Sequence, residues 1–278
     1  MQRKIITIQD LSCTGRCSLT VALPVLSALG IETAVVPTGV YSTHTGGFQN
    51  PYRLDCTKDL MPILAHWKRE NVTADAVYAG YLASVSQMEQ VETYAKELGN
   101  LPLYLDPVMG DNGRLYSGFN QEYIEAMRHF IKKAYMLFPN ITEACAILDI
   151  PYKEVQAEGE IRKLVDQLLL KGPKKVLLTG IESKDGKMIG NCFGEEDRFW
   201  ILWNRKTAGH FHGTGDLFAS AVIGGLLNDW PVEEAVALAS DFTAASIKKT
   251  MGFPYEERFG VRFEQCMSML TVKIGKEG

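Results

Sequence analysis

Several features that mark other protein classes are missing from this sequence. No run of about 18 consecutive apolar residues occurs, which argues against a membrane-spanning helix. The opening segment MQRKIITIQD lacks the apolar core and the small-residue cleavage site of a secretory signal. The six cysteines form no Cys-x-x-Cys pair, which disfavours a zinc site, so we expect reduced and mostly buried thiols. Together these absences predict a cytoplasmic protein.

Basic character and two common nucleotide motifs are missing too. The formal net charge is −4 and the isoelectric point lies near 5.8. Nucleic acids and membrane surfaces attract basic proteins, so neither is an expected partner. No G-x-x-x-x-G-K-[ST] motif occurs, and the segment after the first predicted strand reads QDLSCTGRCS rather than G-x-G-x-x-G. A P-loop NTPase and a dinucleotide-dependent dehydrogenase are therefore disfavoured.

What the sequence does contain is an alternation of strand and helix patterns. Short apolar or β-branched runs predict strands at 4–8, 33–40, 75–80, 102–107, 134–139 and 175–180. Helical spacing lies between them, at 17–29, 56–70, 86–98, 120–133 and 153–171. Repeated alternation of this kind predicts βα units with right-handed crossovers, a mainly parallel sheet and helices on both faces.

The pattern changes after Gly180. Residues 187–193 and 198–203 predict an antiparallel hairpin joined by the acidic turn GEED. Three helices are predicted beyond it, at 214–228, 232–249 and 261–272. No linker rich in proline, glycine or serine divides the chain, and no internal repeat occurs. We expect a single α/β domain over residues 1–278 with an antiparallel edge.

Polar residues follow most of the predicted strands: Asp10, Tyr81, Asp106, Asn140 and Thr179. Ligands of open α/β sheets bind outside the carboxyl ends of the strands. The shared position of these residues therefore predicts a ligand site more firmly than any one of them does.

The segment GTGD, residues 213–216, precedes the strongly apolar run LFASAVIGGLL. Thr214 near the N-cap and Asp216 in the first turn would suit an ordinary helix start. A helix that is apolar on every side is buried, however, so its N-terminus opens into the interior or a cleft. Free N–H groups and two glycines there predict an anion site that a phosphate can approach closely. Asp216 could accept a proton from an attacking hydroxyl, late in the reaction, even with an ordinary pKa of ~3.9.

Three other segments allow both a functional and a purely structural interpretation. In PNITEA, Asn140 and Glu143 have the spacing of a capping box, and the same side chains could hold the water shell of Mg²⁺. In LYLDPVMGDNGRLY, Asp106 is followed by a glycine-rich loop with Tyr116, which is either a lid or a plain βα connection. In YSTHTGGFQN, His44 is either a satisfied loop histidine or a hydrogen-bonding partner of a small polar substrate.

Taken in order, these motifs resemble those of the ribokinase-like superfamily and, within it, the pyridoxal kinases. The resemblance covers nearly the whole chain, through ITIQD, STHTGG, AGYLAS, DPVMGDNGRLY, PNITEA, LLTG and GTGDLFAS. It implies a three-layer α/β/α fold with a mainly parallel central sheet and an antiparallel edge hairpin. It also implies transfer of the γ-phosphate of ATP to the 5′-hydroxymethyl group of pyridoxal, pyridoxamine or pyridoxine, with Mg²⁺, a candidate monovalent cation and a homodimer.

The resemblance also implies a role for each motif residue. Asp216 would be the catalytic base, and the anion hole would be formed by Gly213, Thr214 and Gly215. The vitamin B6 pocket and its lid would be lined by Asp10, His44, Thr45, Tyr81 and Tyr116. ATP would lie beside Asp106, Asn140, Glu143, Thr179 and Gly180. Three of these residues would also hold Mg²⁺ through water: Asn140, Glu143 and Asp106.

Two departures bear on the substrate. Pyridoxal kinases commonly have serine where this chain has Asp10, and an aromatic residue where this chain has Gly47. A carboxylate in the pocket could favour a protonated pyridine nitrogen or the ammonium group of pyridoxamine. The alternatives are a hydroxymethylpyrimidine kinase of thiamine synthesis, an enzyme with both activities, a sugar or nucleoside kinase, and a catalytically silent B6-binding protein.

Overall fold

The computed structural model describes residues 2–153, 157–209, 211–251 and 257–274. Its strands are β1 (Lys4–Ser12), β2 (Glu32–Tyr41), β3 (Arg53–Asp55), β4 (Ala76–Ala79), β5 (Leu103–Leu105), β6 (Gly110–Asp111), β7 (Arg114–Leu115), β8 (Ala134–Leu137), β9 (Lys175–Glu182), β10 (Met188–Glu195) and β11 (Arg198–Arg205). Its α-helices are α1 (Leu19–Ala28), α2 (Thr57–Arg69), α3 (Val85–Glu97), α4 (Gln121–Phe130), α5 (Ile141–Leu148), α6 (Glu158–Leu169), α7 (Thr214–Leu227), α8 (Val232–Met251) and α9 (Ser268–Ile274).

The chain divides into two compact units. The first unit comprises residues 1–76 and 207–278, and the second comprises residues 77–206. The prediction of one domain over the whole chain stays a prediction.

In the first unit, β1 pairs with β2 in parallel and β2 pairs with β3 in antiparallel fashion. The β-branched run of β1 is buried on both faces, since Ile5, Ile6 and Ile8 are all inaccessible to solvent. The register between β1 and β2 shifts between Gln9 and Leu11. Asp10 lies at this irregularity, a kind of feature that often re-aims a side chain at a functional site.

Helix α7 is the central helix of the first unit, as its apolar sequence predicted. Residues 217–225 are all buried, and the helix packs against α1 and α8. Gly224 and Gly225 permit this close packing, because a Cβ on either residue would lie within 3 Å of a neighbouring side chain. The middle of the helix is thus closed to solvent, whereas Gly215 at its beginning is exposed.

In the second unit, the strands follow the order β11, β10, β9, β8, β5, β4. The pairs among β4, β5, β8 and β9 are parallel, whereas β10 pairs with both β9 and β11 in antiparallel fashion. The hairpin predicted from the sequence is confirmed at the edge. A small separate hairpin, β6 with β7, interrupts the connection between β5 and α4.

Three details of the sequence interpretation are wrong. β1 runs to Ser12 and β9 runs to Glu182, so Asp10 and Thr179 lie inside strands rather than after them. The last predicted helix, 261–272, is a 3₁₀ turn at Phe263–Cys266 followed by α9. The short strands β3, β6 and β7 were not predicted, because two or three residues carry no periodicity. Within the predicted helix 153–171, residues 154–156 lie outside the described residues.

The cysteines and helices agree with the expectations drawn from composition. All six cysteines have free thiols, and five of them are buried, with Cys13 exposed. Among the helices that the structure describes, none combines the length and the apolar character needed to cross a membrane.

Candidate active site

The GTGD segment forms the N-terminal turn of α7. Gly213, rather than Thr214, is the N-cap, and it has a left-handed backbone with φ 76° and ψ 3°. A Cβ at this position would lie 1.9 Å from the carbonyl oxygen of Arg16, so only glycine fits. The Thr214 hydroxyl donates to the carbonyl of Phe211 at 3.1 Å, which ties the turn to the preceding segment. The first N–H groups of α7 are left for a ligand or water, as at any helix N-terminus.

Asp216 lies in this first turn, where its carboxylate is desolvated by the surrounding protein. Burial raises the pKa of Asp216 to about 7, and the negative charge of Asp10 adds to the rise, while the nearby backbone N–H of Ser18 opposes it. The pKa of Asp216 therefore lies above the ordinary value considered from the sequence. A carboxylate with a pKa near neutrality is well matched to general base catalysis.

Asp10, like Asp216, lies in the first unit, and it is almost fully buried. The hydroxyl of Ser12 donates to its Oδ2 at 3.0 Å, and the side chain of Ser18 lies nearby. Burial raises the pKa of Asp10, whereas these two hydroxyls lower it. The thiol of Cys17 lies among the same groups, and its pKa is raised by burial and by both carboxylates. The structure therefore brings Asp10 and Asp216 into one electrostatic cluster.

His44 has a defined tautomer. The N–H of Gly46 donates to its Nδ1 at 3.1 Å, so the neutral ring carries its proton on Nε2. That nitrogen donates to the carbonyl of Arg258 at 2.6 Å. Burial lowers the pKa of His44. Both ring nitrogens are satisfied by backbone groups, which matches the interpretation of His44 as a satisfied loop histidine. Thr45, the next residue, is half-buried.

An aromatic residue, Phe48, directly follows Gly47, the position where the resemblance would place an aromatic residue. Gly47 has φ 77°, and a Cβ there would lie 3.0 Å from the Cβ of Arg258. Phe48 instead packs edge-on against the His44 ring at a centroid distance of 5.1 Å. The guanidinium of Arg258 stacks over Phe48 at 4.7 Å, and Phe259 also contacts the Phe48 ring. The loop therefore carries its ring at Phe48.

In the second unit, Asn140 and Glu143 form the capping box of α5. The Glu143 N–H donates to Asn140 Oδ1, and the Asn140 N–H donates to Glu143 Oε2, both at 2.9 Å. Glu143 Oε1 accepts a further hydrogen bond from the N–H of Met109 at 3.0 Å, and the Asn140 amide donates to the carbonyl of Gly110 at 2.9 Å. These hydrogen bonds are those of an ordinary capping box. The same two side chains also hold the segment that begins at Met109.

The same helix end holds the tip of the β6–β7 hairpin. The N–H of Gly113 donates to Thr142 Oγ1 at 2.9 Å, and the Tyr152 ring covers Gly113 so closely that a Cβ would lie 2.6 Å from it. Tyr116 follows the hairpin, and its N–H donates to the carbonyl of Met109. The glycine-rich loop predicted as a lid is thus a structured hairpin seated on the start of α5.

The other predicted residues of the second unit lie at strand ends or bulges. Asp106 directly follows β5 and is buried, and its N–H donates a hydrogen bond to the carbonyl of Ala79. Thr179 and Gly180 stand opposite the single residue Asn191, and Gly180 has φ 73°, so this is a β-bulge in β9. Thr179 pairs with Asn140 through an isolated parallel bridge. Tyr81 follows β4, and its ring contacts that of Phe119 at 5.6 Å.

The fit of Mg²⁺ can be tested on the Glu143 carboxylate. Each of its oxygens already accepts a backbone hydrogen bond, but a carboxylate oxygen has a second lone pair. Burial raises the pKa of Glu143 to about 8, and the charge of Asp111 adds to the rise, so a nearby cation would stabilise the ionised form. In the described ranges, no group of three or more His, Cys, Asp or Glu side chains could hold a metal ion. These residues fit a hydrated Mg²⁺ contacted through water.

Four residues of these clusters escaped the sequence analysis: Ser12, Ser18, Thr142 and Gly260. Ser18 directly precedes an apolar helix, which is a signal for an N-cap rather than for a position near two carboxylates. Gly260 has φ 77°, and a Cβ there would lie 2.7 Å from the carbonyl oxygen of Arg16. Its role depends on a contact between segments far apart in the sequence, so no local pattern indicates it.

The family of the chain follows from comparison with known proteins. Residues 19–259 match the model of the phosphomethylpyrimidine kinase family. The chain belongs to that family. A putative phosphomethylpyrimidine kinase from Bacteroides thetaiotaomicron, whose crystal structure contains pyridoxal, is 34% identical, with a TM-score of 0.92 over 97% of this chain and 96% of the other.

Two further relatives of this kinase are named pyridoxal kinases. The crystal structure of pyridoxal kinase from Lactobacillus plantarum is 30% identical, with a TM-score of 0.90 over 99% of both chains. Pyridoxal kinase of Dictyostelium discoideum is 28% identical over 86% of this chain and 82% of its own. The ribokinase-like fold and the resemblance to pyridoxal kinases that the motifs predicted are thereby confirmed, and the chain is a kinase.

Proposed function

We propose that this kinase transfers the γ-phosphate of ATP to the 5′-hydroxymethyl group of vitamin B6 vitamers. The observation that carries the proposal is the Asp216 carboxylate, which lies in the first turn of a buried helix with its pKa raised to about 7. The similarity to a structure that contains pyridoxal supports the choice of acceptor.

The chemistry divides between two tasks. The acceptor hydroxyl attacks the γ-phosphorus of ATP, the bond between that phosphorus and the bridging oxygen of ADP breaks, and Asp216 takes the hydroxyl proton. Phosphoryl transfer gains most from positioning and charge neutralisation. The N–H groups at the start of α7, from the Gly213–Gly215 turn, would stabilise the charge on the transferred group. Gly213 keeps this turn open, because any side chain would collide with Arg16.

The residues around α5 and β9 would bind the nucleotide and its metal ion. Asn140, Glu143 and Asp106 would hold Mg²⁺ through water, and Thr179 and Gly180 would lie by the ATP phosphates. Mg²⁺, when bound, neutralises charge on those phosphates. Glu143 keeps the segment from Met109 in place through hydrogen bonds that do not depend on any ligand.

The vitamer site would be lined by residues from several motifs. Asp10, His44, Thr45, Tyr81 and Tyr116 would contact the ring or its substituents. Because Asp10 is buried beside two serines, it would favour a vitamer that brings a positive charge. We further propose a homodimer, which size-exclusion chromatography with light scattering can test.

A second acceptor is hydroxymethylpyrimidine, favoured by the family to which the chain belongs. Its primary alcohol and ring size are close to those of pyridoxine, so the same base and anion hole would serve both reactions.

Initial-rate kinetics with ATP and Mg²⁺ against pyridoxal, pyridoxamine, pyridoxine and hydroxymethylpyrimidine tests both candidates. We expect the highest kcat/KM with a B6 vitamer, and a fall in kcat of at least about 1000-fold in Asp216→Asn with ATP binding retained. Near-wild-type turnover of Asp216→Asn would remove the base from the proposal. Turnover of hydroxymethylpyrimidine alone would replace the substrate, and turnover of none of the four would reject both functions.

A further inference from the structure

Arg16 lies in the loop between β1 and α1, and its backbone is held on both sides. The Thr20 hydroxyl lies within hydrogen-bond distance of the carbonyls of Gly15 and Cys17, at 3.1 and 2.7 Å, and accepts from the N–H of Cys17 at 3.2 Å. The N–H of Arg16 donates to the carbonyl of Phe259 at 3.1 Å. The peptide groups before and after Arg16 are thereby tied to the first turn of α1 and to the segment that follows α8.

The side chain of Arg16 supplies a further attachment. Its Nε donates to Glu264 Oε1 at 2.6 Å, in an ion pair whose side chains are 25% and 52% exposed. Glu264 belongs to the 3₁₀ turn Phe263–Cys266, of which Phe263 and Cys266 are buried. The carboxylate that holds Arg16 therefore belongs to a turn that is itself packed into the first unit.

The carbonyl oxygen of Arg16 lies against the start of α7. A Cβ on Gly213 would lie 1.9 Å from this oxygen, and a Cβ on Gly260 would lie 2.7 Å from it. Gly213 is the N-cap of α7, so the first turn of that helix is in contact with Arg16. Close-packed groups transmit displacements to one another. A shift of the Arg16 backbone should therefore displace the first turn of α7.

We propose that Arg16 is a positioning residue of this kinase: its ion pair with Glu264 and its hydrogen bond to Phe259 fix the carbonyl oxygen against which the first turn of α7 is placed. In this role Arg16 contacts no substrate and acts through Gly213. The inference rests on the proposed function, in which the N–H groups of this turn stabilise the transferred phosphoryl group. A misplacement of about 1 Å can cost on the order of 100-fold in rate, so a small shift of the turn should lower kcat.

The ion pair can be changed without any substitution in α7. Arg16→Met keeps an unbranched apolar stem and removes the guanidinium, whereas Glu264→Ala removes the carboxylate. Arg16→Lys keeps a cationic donor of similar reach. The matched control is Lys4→Met, because Lys4 pairs with Glu32 at 2.7 Å with side-chain exposures of 27% and 54%, at the other end of β1. It removes the same charge from an equally exposed ion pair of the same unit.

The kinetic test compares kcat with KM. We expect Arg16→Met and Glu264→Ala each to lower kcat by at least about five-fold, with the KM for ATP within about two-fold of wild type. The double variant should lose no more than either single variant, because both changes break one contact. Arg16→Lys and Lys4→Met should keep kcat within about two-fold. If Arg16→Met melts at a lower temperature but keeps the kcat of Lys4→Met, the ion pair serves stability alone and the positioning role is overturned. Additive losses in the double variant overturn it too.

Hydrogen exchange separates this inference from the proposed function, since it needs no turnover. The N–H of Leu217 donates to the carbonyl of Gly213 at 3.0 Å, so its exchange rate reports on the first turn of α7. The N–H of Asn228 donates to Gly224 at 3.2 Å at the other end of the helix and reports on any general loss of stability. We expect the ratio of the Leu217 rate to the Asn228 rate to rise at least about three-fold in Arg16→Met.

The same ratio should rise in Glu264→Ala and stay at the wild-type value in Lys4→Met. If wild type phosphorylates none of the four acceptors but the ratio responds in this way, the proposed function fails and the positioning role stands. An unchanged ratio in both Arg16→Met and Glu264→Ala overturns the positioning role, whether or not wild type is active.

Should Arg16→Met fail to fold, Glu264→Ala decides the matter alone. The Glu264 side chain is half-exposed, so its loss leaves no cavity in the core. Its kcat and its exchange ratio should change as stated above, and wild-type values of both would overturn the role of Arg16.

Discussion

Glu143 Oε1 accepts a hydrogen bond from the backbone N–H of Met109, which lies 34 residues earlier in the chain, at 3.0 Å. The same carboxylate caps α5 through Asn140, so a single side chain joins the helix start to the segment that leads into the β6–β7 hairpin. This relationship gives Glu143 a mechanical role that is independent of any metal.

The Glu143→Gln substitution should loosen that segment. An amide offers one acceptor oxygen where the carboxylate offers two, so at least one buried N–H is left unsatisfied at a cost of about 1–3 kcal/mol. We expect a lower melting temperature and faster hydrogen exchange in the peptide that contains Met109 and Gly110. Glu89→Gln, on the exposed face of α3, is the control and should change neither. Unchanged exchange in Glu143→Gln would contradict the anchoring role.

The pH dependence of turnover should reflect the raised pKa of Asp216. A base with its pKa at about 7 must lose its proton before it can accept another, so kcat should fall about ten-fold per pH unit below that value. Turnover at saturating substrate, measured from pH 5 to 9, tests this. A profile that stays flat down to pH 5 would show that the ordinary carboxylate value applies instead.

The pH dependence of folding stability should also reflect the raised pKa of Asp216. The folded pKa of Asp216 is about 7 against 3.8 in the unfolded chain, so the folded state binds the extra proton between these values. Wild-type stability therefore declines as pH rises through this window, and Asp216→Asn escapes the decline. We expect the melting temperature of Asp216→Asn to gain about 5 °C on wild type between pH 4 and pH 8 without ligands. Asp197→Asn, in the exposed turn before β11, is the control.

Gly213→Ala should be far more damaging than alanine at another left-handed glycine. Gly186 has φ 67° and open space around its missing Cβ, whereas a Cβ on Gly213 would collide with the Arg16 carbonyl. Gly186→Ala should cost about 1 kcal/mol through backbone strain alone. Gly213→Ala should abolish turnover and lower the melting temperature by more than Gly186→Ala. Equal effects at the two positions would mean that the backbone at Arg16 shifts readily to make room for the added methyl group.

The Asp10→Ser substitution tests the charge of the proposed vitamer site. Removing the buried carboxylate should lower the preference for pyridoxamine relative to pyridoxine by about ten-fold in kcat/KM, since the lost interaction involves a charge. Competition kinetics with the vitamers in pairs measures the ratio directly. Identical ratios in Asp10→Ser and wild type would reject a selective role for Asp10.

Much of this fold could be predicted from periodicity, and much of the candidate site from strand ends. The buried run Ile5–Ile8 and the all-apolar α7 indicate their own environments, because burial on every side leaves a continuous apolar sequence. The end of β1 could not be predicted, because Gln9, Asp10 and Ser12 are polar yet buried through hydrogen bonds inside the protein. The pKa of Asp216 depends on Asp10 and Ser18, which are about 200 residues away in sequence.

The carbonyl group of Arg16 is enclosed by two glycines from distant parts of the chain, Gly213 and Gly260. A growing polypeptide therefore cannot complete this enclosure until nearly all of its residues have been made. Contacts of such long sequence separation form slowly, because a large loop must close before they stabilise anything. The N-terminal turn of α7 should consequently be among the last parts of the first unit to reach its final geometry, so a nascent or C-terminally shortened chain would hold Asp216 without a finished turn around it.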